Sequence, residues 1–282
     1  MQLPNSYEDM LREVLMEGSS RPDRTGTGTT SLFGGRIEYD LRNGFPLITS
    51  KRVPFRLVAE ELLWFLRGDT DIQYLKERDV HIWDEWADEY GYIGQMYGYQ
   101  WRRWGEYYDF DSVLPDENDD GLIPGVDQIA QVIRSIRADP YSRRHVVSTW
   151  NPTAIPYMAL APCHIMFQFY VEDSGVLSIQ VYQRSADMFL GVPFNLASYA
   201  LLTKMVAHVT GYGVGRLIWV GGDCHIYDNH RDQVKEQLSR DYVPLPDLDI
   251  VGDVANIDDF TIDNFKMTEY NPHPTLKGAV AV

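Results

Sequence analysis

The stretch Ile165-Met-Phe-Gln-Phe-Tyr-Val-Glu-Asp-Ser-Gly-Val-Leu-Ser-Ile-Gln-Val181 places hydrophobic residues at every second position on both sides of Asp173-Ser-Gly175. This alternation is typical of strands with one buried face. Asp, Ser and Gly are the residues that tight turns favour, so the central triplet fits a turn. The stretch therefore predicts a β-hairpin within a mainly antiparallel or mixed sheet.

Helical periodicity predicts most of the remaining elements. Apolar residues recur at spacings of three and four over residues 7–15, 55–67 and 126–136, which is the pattern of amphipathic helices. Further helices are predicted over residues 195–208, closed by Gly211, and over 225–240, with short strands and loops after residue 243. Helices and strands together predict an α/β fold of the α+β type.

The chain shows no internal repeat and no linker that would divide it. We therefore predict a single domain over residues 1–282. Residues 106–125 are rich in Asp and Glu, and they lack the fixed glycine and the terminal glutamate of a calcium-binding loop. They are predicted to form a solvated surface insertion.

Charge and cysteine content limit the possible partners and location. The net charge of −16 argues against binding to DNA, RNA or an anionic membrane, since each of these requires a basic surface. Two cysteines in 282 residues do not make a disulfide framework. The N-terminal residues lack the layout of a signal peptide, and no apolar run has the length of a membrane span. These features predict a cytoplasmic protein.

Cys163 is the first candidate for chemistry. It lies between Pro162 and His164, at the start of the predicted hairpin. A lone cysteine is usually a small buried residue, and Cys224 has the same default interpretation. Neither cysteine has a histidine at zinc-ligand spacing, so no metal site is predicted. From its neighbours alone, Cys163 is either a core residue or a thiolate nucleophile.

Four arginines in turns or at strand ends provide candidate anion ligands: Arg24, Arg143, Arg144 and Arg184. The guanidinium fork matches phosphate oxygens, although each of these residues can equally be a surface charge. Arg184 is also expected to lower the pKa of a nearby Cys163 thiol, since positive charge stabilises the thiolate.

Glu61 shares a helical stripe with Leu57 and Trp64. It is either paired in the core or poised for proton transfer with a raised pKa. Its neighbour Glu60 is off this stripe and is expected to face solvent. Asn195, at the predicted start of a helix, is either an N-cap or an amide that can donate to and accept from a heterocycle.

The sequence resembles the thymidylate synthase family over almost its whole length. The matching stretches are Asp23-Arg-Thr-Gly-Thr-Gly-Thr29, Glu61-Leu-Leu-Trp-Phe65, Ile82-Trp-Asp-Glu-Trp86, Tyr97-Gly-Tyr-Gln-Trp-Arg102, Ser142-Arg-Arg144, Ala161-Pro-Cys-His164, Gln183-Arg-Ser-Ala-Asp187, Phe189-Leu-Gly-Val-Pro-Phe-Asn195, Gly221-Gly-Asp-Cys-His-Ile-Tyr227 and the terminal residues 277–282. The resemblance implies a three-layer α/β fold whose mixed sheets pack across a homodimer.

The implied reaction is the reductive methylation of dUMP to dTMP, with 5,10-methylenetetrahydrofolate as carbon donor and hydride source and dihydrofolate as product. By this resemblance Cys163 attacks C6 of the pyrimidine, which makes C5 a carbon nucleophile. Glu61 organises water and protons, and Tyr97 assists removal of the C5 proton. The implied catalytic residues are Cys163, Glu61, Tyr97, Arg184, Asp187 and Asn195.

The resemblance also implies both binding sites. Arg24, Arg184 and Ser185 hold the phosphate of dUMP, and Arg143 and Arg144 reach the phosphate site of the partner subunit. Asn195 contacts the uracil edge, His225 and Tyr227 contact the sugar 3′-hydroxyl, and Asp187 bonds the pterin. The implied folate-site residues are Lys51, Pro54, Ile82, Trp83, Asp187, Leu190, Gly191, Phe194 and Ala281, the last of which belongs to a tail that closes over the site.

Two alternatives remain open. A hydroxymethylase on the same scaffold would add water instead of hydride. Asn195 disfavours a dCMP substrate and Trp83 favours hydride transfer, whereas the departures Gln95, Pro54 and Gly278-Ala279 from common family residues leave a dUMP hydroxymethylase possible. The second alternative is an inactive nucleotide- or RNA-binding relative. The retained catalytic set and the acidic composition argue against it.

Overall fold

A six-stranded mixed sheet forms the centre of the computed structural model, which describes residues 6–108 and 122–280. The strands within these described ranges are β1 (Ser19–Arg21), β2 (Thr29–Asp40), β3 (Tyr107–Tyr108), β4 (Leu122–Ile123), β5 (Val146–Ser148), β6 (His164–Val171), β7 (Val176–Asp187), β8 (Gly213–Tyr227), β9 (Asp247–Ile250) and β10 (Phe265–Thr268). The spatial order of the central sheet is β1-β2-β8-β7-β6-β5. Ala281 and most of the predicted insertion at 106–125 lie outside the described residues.

Seven α-helices occur within the described residues. They are α1 (Tyr7–Glu17), α2 (Phe55–Leu66), α3 (Gln73–Lys76), α4 (Tyr97–Arg102), α5 (Gln128–Ala138), α6 (Gly191–Thr210) and α7 (Arg231–Leu238). Ser6 begins α1 with a capping box, and Asp127 caps α5, as expected for polar residues at helix starts. None of the helices described at 6–108 and 122–280 is long and apolar enough to cross a membrane.

The parallel pair β7–β8 positions the candidate site. All other neighbouring strands of the central sheet run antiparallel, whereas β7 and β8 are parallel and are joined by the buried helix α6. Their carboxyl ends therefore meet at one edge, where Ser185 pairs with Asp223 and Asp187 pairs with His225. Ligands commonly bind beyond the carboxyl ends of parallel strands.

One face of this sheet packs into the core, and the other is only partly covered. Ile37, Trp219 and Val181 lie in register on the buried face. The neighbouring row on the opposite face, formed by Val220, Tyr182 and Met166, is half-buried. This second face therefore carries apolar side chains that are only partly shielded from water by the described residues.

The predicted hairpin and the helices at 7–15, 55–67 and 126–136 are confirmed, with shifts of a few residues at their ends. The prediction of a continuous helix over 225–240 is wrong. Strand β8 continues through Tyr227, which pairs with Thr29, and a 3₁₀ turn over Asp228–His230 precedes α7. The N-cap interpretation of Asn195 is also wrong, because α6 begins at Gly191 and places Asn195 in its second turn.

Candidate active site

A cavity of about 380 Å³ opens beside the carboxyl ends of β7 and β8. Six residues that were predicted to attack or bind the substrate line it: Cys163, Arg24, Arg184, Ser185, His225 and Tyr227. They come from the loop before β2, the segment before β6, and the ends of the parallel pair. Long-range strand pairing therefore brings together side chains that are far apart in the sequence.

Arg184 holds the segment that carries Cys163. Its Nε donates to Pro162 O at 2.9 Å and its Nη2 donates to Ala161 O at 2.8 Å. Its backbone N–H donates to Cys163 O at 2.9 Å. On the other side, the Cys163 N–H donates to the Tyr97 hydroxyl at 2.8 Å. These four hydrogen bonds therefore hold Cys163 and the two residues before it in position.

The pKa of the Cys163 thiol lies above its usual value. Burial is the largest cause and raises the pKa; the Arg184 charge lowers it, and Asp187 raises it. The expectation that Arg184 favours the thiolate is right for the contribution of Arg184, but burial outweighs it. The thiol is therefore mainly protonated in the unliganded protein at neutral pH.

Glu61 is half-buried in α2 and accepts a hydrogen bond from Trp83 Nε1 at 2.8 Å. Burial raises the pKa of Glu61 to about 7, and the hydrogen bond from Trp83 acts in the opposite direction. A carboxyl group with this pKa exchanges protons readily near neutral pH, which suits general acid–base catalysis.

The expectation for Glu60 is wrong. Glu60 is buried, accepts a hydrogen bond from the Tyr74 hydroxyl at 3.0 Å and lies 3.4 Å from Arg78 Nε. Tyr74 belongs to α3, which covers this side of α2. A helical stripe predicts which residues of α2 share a face. It does not predict that another helix, here α3, packs against the neighbouring face.

His164 and Tyr199 are buried polar residues to which the sequence assigned no role. Burial lowers the pKa of His164 to about 4, and a hydrogen bond with the Asn195 side chain acts against this shift. The neutral ring can therefore orient the Asn195 amide. The Tyr199 ring packs edge-on against the His164 ring, with centroids 5.4 Å apart, and its hydroxyl has no hydrogen-bond partner in the described part of the chain. In the sequence, only the position of His164 directly after Cys163 indicates that it belongs to the site.

The loop before β2 presents Arg24 at the cavity. Asp23 organises this loop by accepting hydrogen bonds from the backbone N–H groups of Thr25 at 2.8 Å and Gly28 at 2.7 Å. Gly28 has a φ of +82°, and a Cβ there would lie 2.5 Å from an Asp228 carboxylate oxygen. Glycine is therefore required for the turn and for the close approach.

Two further cavity residues, Arg21 and Asp223, were not predicted. Arg21 forms an ion pair with Asp223 at 3.0 Å. The Asp223 carboxylate also contacts His225 Nδ1 at 3.2 Å and accepts from the Ser31 hydroxyl at 2.7 Å. The hydrogen bond with His225 is the main cause that lowers the pKa of Asp223. The pair fixes the ring of His225 at the cavity wall.

Four of the predicted folate-side residues, Asp187, Leu190, Gly191 and Phe194, lie at the end of β7 and the start of α6. Asp187 Oδ1 accepts the backbone N–H groups of Phe189 at 2.9 Å and Leu190 at 3.2 Å. Leu190 and Phe194, like Ile82, are half-buried against the core, and Trp83 is buried. A carboxylate beside a partly exposed apolar wall fits a heteroaromatic group that carries N–H donors.

Lys51 and Pro54 lie in different environments. Lys51 is buried, with its Nζ donating to Phe189 O and lying 3.7 Å from the centroid of the Phe189 ring. Burial lowers the pKa of Lys51 to about 8. Pro54 is exposed at the N-cap of α2. The Lys51 ammonium thus contacts the segment that carries Asp187 and does not extend into solvent.

Arg143 and Arg144 do not line the cavity. Both are exposed in the segment that precedes the edge strand β5. Their predicted role concerns a partner subunit, which a single chain does not test. Across residues 6–108 and 122–280, no group of three or more His, Cys, Asp or Glu side chains could hold a metal ion.

The family assignment follows from a match that spans nearly the whole chain. The family model described as thymidylate synthase matches residues 5–282. The matched residues include every side chain of the cavity and of the Asp187 region. The chain therefore belongs to the thymidylate synthase family.

Proposed function

We propose that this chain methylates dUMP to dTMP and releases dihydrofolate. The observation that carries the proposal is a single cavity lined by Cys163, by Arg24 and Arg184, and by His225 and Tyr227. A nucleoside monophosphate offers one group for each set: a base for Cys163, a phosphate for the arginines, and a sugar hydroxyl for His225 and Tyr227. A single domain over residues 1–282 and a cytoplasmic location are part of the proposal.

In the proposed reaction the Cys163 sulfur bonds to C6 of the uracil ring. The electron pair of the C5–C6 double bond moves to C5 and the adjacent carbonyl, which makes C5 nucleophilic. Because burial raises the pKa of the thiol, formation of the S–C6 bond requires transfer of the thiol proton to water in the open cavity. Arg184 lies beside the thiol and stabilises the resulting thiolate.

Proton transfer on the uracil ring is assigned to Glu61, Tyr97 and the Asn195–His164 pair. Glu61 can both give and take a proton at neutral pH because its pKa is about 7. The unpaired Tyr199 hydroxyl, whose pKa is raised by burial and by Glu61, supports an ordered water in this region. Tyr97 contacts the Cys163 backbone and assists removal of the C5 proton.

The folate co-substrate, 5,10-methylenetetrahydrofolate, supplies the one-carbon unit and the hydride when it is bound. We assign Asp187 to its pterin. The apolar wall is assigned to Ile82, Trp83, Leu190, Gly191 and Phe194, with Lys51, Pro54 and Ala281 at the periphery. Trp83 also hydrogen-bonds Glu61, so one side chain connects the folate wall with the proton-transfer group.

We further propose a homodimer in which Arg143 and Arg144 enter the phosphate site of the partner subunit. The half-buried sheet face around Val220, Tyr182 and Met166 supports an interface. An Arg143→Ala/Arg144→Ala double variant and a Cys163→Ala variant should each be inactive. Mixing the two under conditions of subunit exchange should restore activity, since one hybrid site retains both functions. A mixture that stays inactive despite demonstrated exchange argues against the shared site.

A dUMP hydroxymethylase is the second candidate, because the tail contains Gly278-Ala279 where Ala-Pro is common in the family. The test incubates the protein with dUMP and methylenetetrahydrofolate, follows dihydrofolate by absorbance and weighs the nucleotide product by mass spectrometry. Equal amounts of dTMP and dihydrofolate support the synthase. Hydroxymethyl-dUMP formed without dihydrofolate overturns it in favour of the hydroxymethylase.

A further inference from the structure

Three side chains of the segment that includes α7 donate hydrogen bonds to main-chain carbonyls of the C-terminal tail, defined here as residues 269–280. His230 Nε2 lies 2.8 Å from Ala279 O, and Gln233 Nε2 lies 3.3 Å from Lys277 O. Arg240 Nη1 lies 2.8 Å from Pro274 O. The donors are spaced by three and seven residues, so they share one side of the helical segment. The tail therefore runs antiparallel to α7 along this row.

The tail has no helix or strand of its own over residues 269–280. Its carbonyl groups must find partners elsewhere or face water. The three donors recognise main-chain oxygens, and so they specify the path of the tail without requiring particular side chains on it. Leu276 adds an apolar contact with the core.

The contacts differ in their protection from water. The hydrogen bonds of Gln233 and Arg240 are exposed, whereas that of His230 is partly buried and comes from a fully buried ring. The His230 ring packs on Phe189, with centroids 5.0 Å apart. Because a carbonyl oxygen only accepts, Nε2 carries the hydrogen. A hydrogen bond shielded from water contributes more than an exposed one, so His230 is the main anchor.

Gly278 makes this anchor sterically possible. A Cβ at position 278 would lie 2.7 Å from His230 Nε2 and 2.9 Å from Phe189 Cε1. A Cβ atom essentially never lies this close to another heavy atom, so an alanine there would push the tail away from both rings. The unusual glycine of this chain therefore fits a tail that lies directly on the His230 ring.

The anchor shares Phe189 with the folate side of the site. The Phe189 N–H donates to Asp187 Oδ1 at 2.9 Å, and its carbonyl accepts from Lys51 Nζ. We propose that His230 is a positioning residue that docks the C-terminal tail beside the folate site, and that Gly278 is required for this docking. The docking itself is independent of the proposed function; only its catalytic consequence rests on that function.

Trypsin cleavage after Lys277 of the full-length protein tests the docking without any assay of activity. Lys277 is exposed, and cleavage there requires the tail to lift from its donors. His230→Leu should cleave about tenfold faster, since it removes a buried hydrogen bond. Gly278→Ala should do the same, while His230→Gln, which keeps a donor, should recover part of the protection. Synthetic tail peptides correct for the intrinsic effect of alanine beside the cleaved bond.

Thr275→Ala is the matched control, because Thr275 is an exposed tail residue outside the described contacts. It should cleave at the parental rate. Near-ultraviolet circular dichroism checks the folding of His230→Leu, and Gly278→Ala provides a second variant that removes no side chain from the core. Parental cleavage rates in both His230→Leu and Gly278→Ala overturn the proposal.

Kinetics then separate this proposal from the proposed function. If the parent protein forms dTMP, both variants should raise KM for the folate and the fraction of hydroxymethyl-dUMP, with dUMP affinity unchanged. Faster cleavage in the variants of a protein that forms no dTMP would support the docking while overturning the proposed function. Faster cleavage with unchanged folate KM and product ratio in an active enzyme would overturn the link to the folate site.

Discussion

The two sides of the candidate site are built in different ways. On the side proposed to bind the nucleotide, Cys163, Arg184 and His225 lie at strand ends and are held by backbone pairing and by side-chain hydrogen bonds. On the side proposed to bind the folate, the walls come from the start of α6, from loops and from a tail without secondary structure. Under the proposed function, this difference predicts a nucleotide cavity formed before binding and a folate site completed by docking of the tail.

Replacement of the nucleophile should have the largest effect on activity and should leave both sides of the site in place. Cys163→Ala is expected to lower kcat/KM at least about ten-thousandfold, with dUMP binding retained in calorimetry. Cys224→Ala is the matched control, because burial raises the pKa of that thiol to about 11 and keeps it unreactive. Retained turnover by Cys163→Ala would contradict covalent catalysis.

Glu61→Gln should lower kcat by about 10²–10⁴-fold and stabilise the fold at higher pH. The folded protein binds the Glu61 proton more tightly than the unfolded chain, since burial raises the pKa from 4.5 to about 7. Ionisation therefore costs stability as the pH rises through this window. Above it, the variant should be more stable by about 3 kcal/mol, and below it the difference should disappear.

Denaturant unfolding of both proteins at about pH 4 and about pH 8 measures this difference. Glu60→Gln is the neighbouring control and should lose stability, because Arg78 would lose its buried partner. A gain in stability for Glu61→Gln that is equal at both pH values would contradict the raised pKa.

Two arginines of the cavity differ in how they are held: Arg184 is hydrogen-bonded to the loop that carries Cys163, whereas Arg24 is exposed. Arg184→Lys removes two hydrogen bonds to the loop that carries Cys163 and should lower kcat about a hundredfold by displacing the nucleophile. Arg24→Lys changes an exposed residue and should raise KM for dUMP by about tenfold with little change in kcat. Steady-state kinetics on both variants provide the comparison. Equal effects of the two changes on kcat would show that Arg184 does not position the loop that carries Cys163.

Added salt should produce the smallest effects. It should raise the thermal stability of the protein and lower its affinity for dUMP. The net charge of −16 repels itself, so added salt should raise Tm by a few degrees. The arginine-lined cavity should bind dUMP more weakly under the same conditions, because the phosphate contacts are screened. Calorimetry at low and high salt measures both quantities. A Tm that falls with added salt would contradict the contribution of self-repulsion.

Sequence patterns predicted the elements whose periodicity is local. The hairpin β6–β7 and the helices α1, α2 and α5 were found because each has one apolar face with a regular period. The long strands β2 and β8 were not predicted. Each contains an adjacent pair of glycines, Gly34-Gly35 and Gly221-Gly222, and these interrupt the apolar alternation. Added Cβ atoms at Gly35 and Gly221 would meet the Cys224 sulfur at 2.7 and 2.4 Å.

The sequence by itself determined the family and the hairpin and supplied the candidate residues for the proposed chemistry, since motifs and local periods are written in consecutive residues. Only the tertiary structure decided the protonation of Cys163, the burial of Glu60, the extension of β8 through His225 and the docking of the tail on His230. Each of these features depends on residues that are distant in the sequence but pack around the side chain in the fold. Burial and long-range pairing set pKa values and contacts, and neither has a signature in a local pattern.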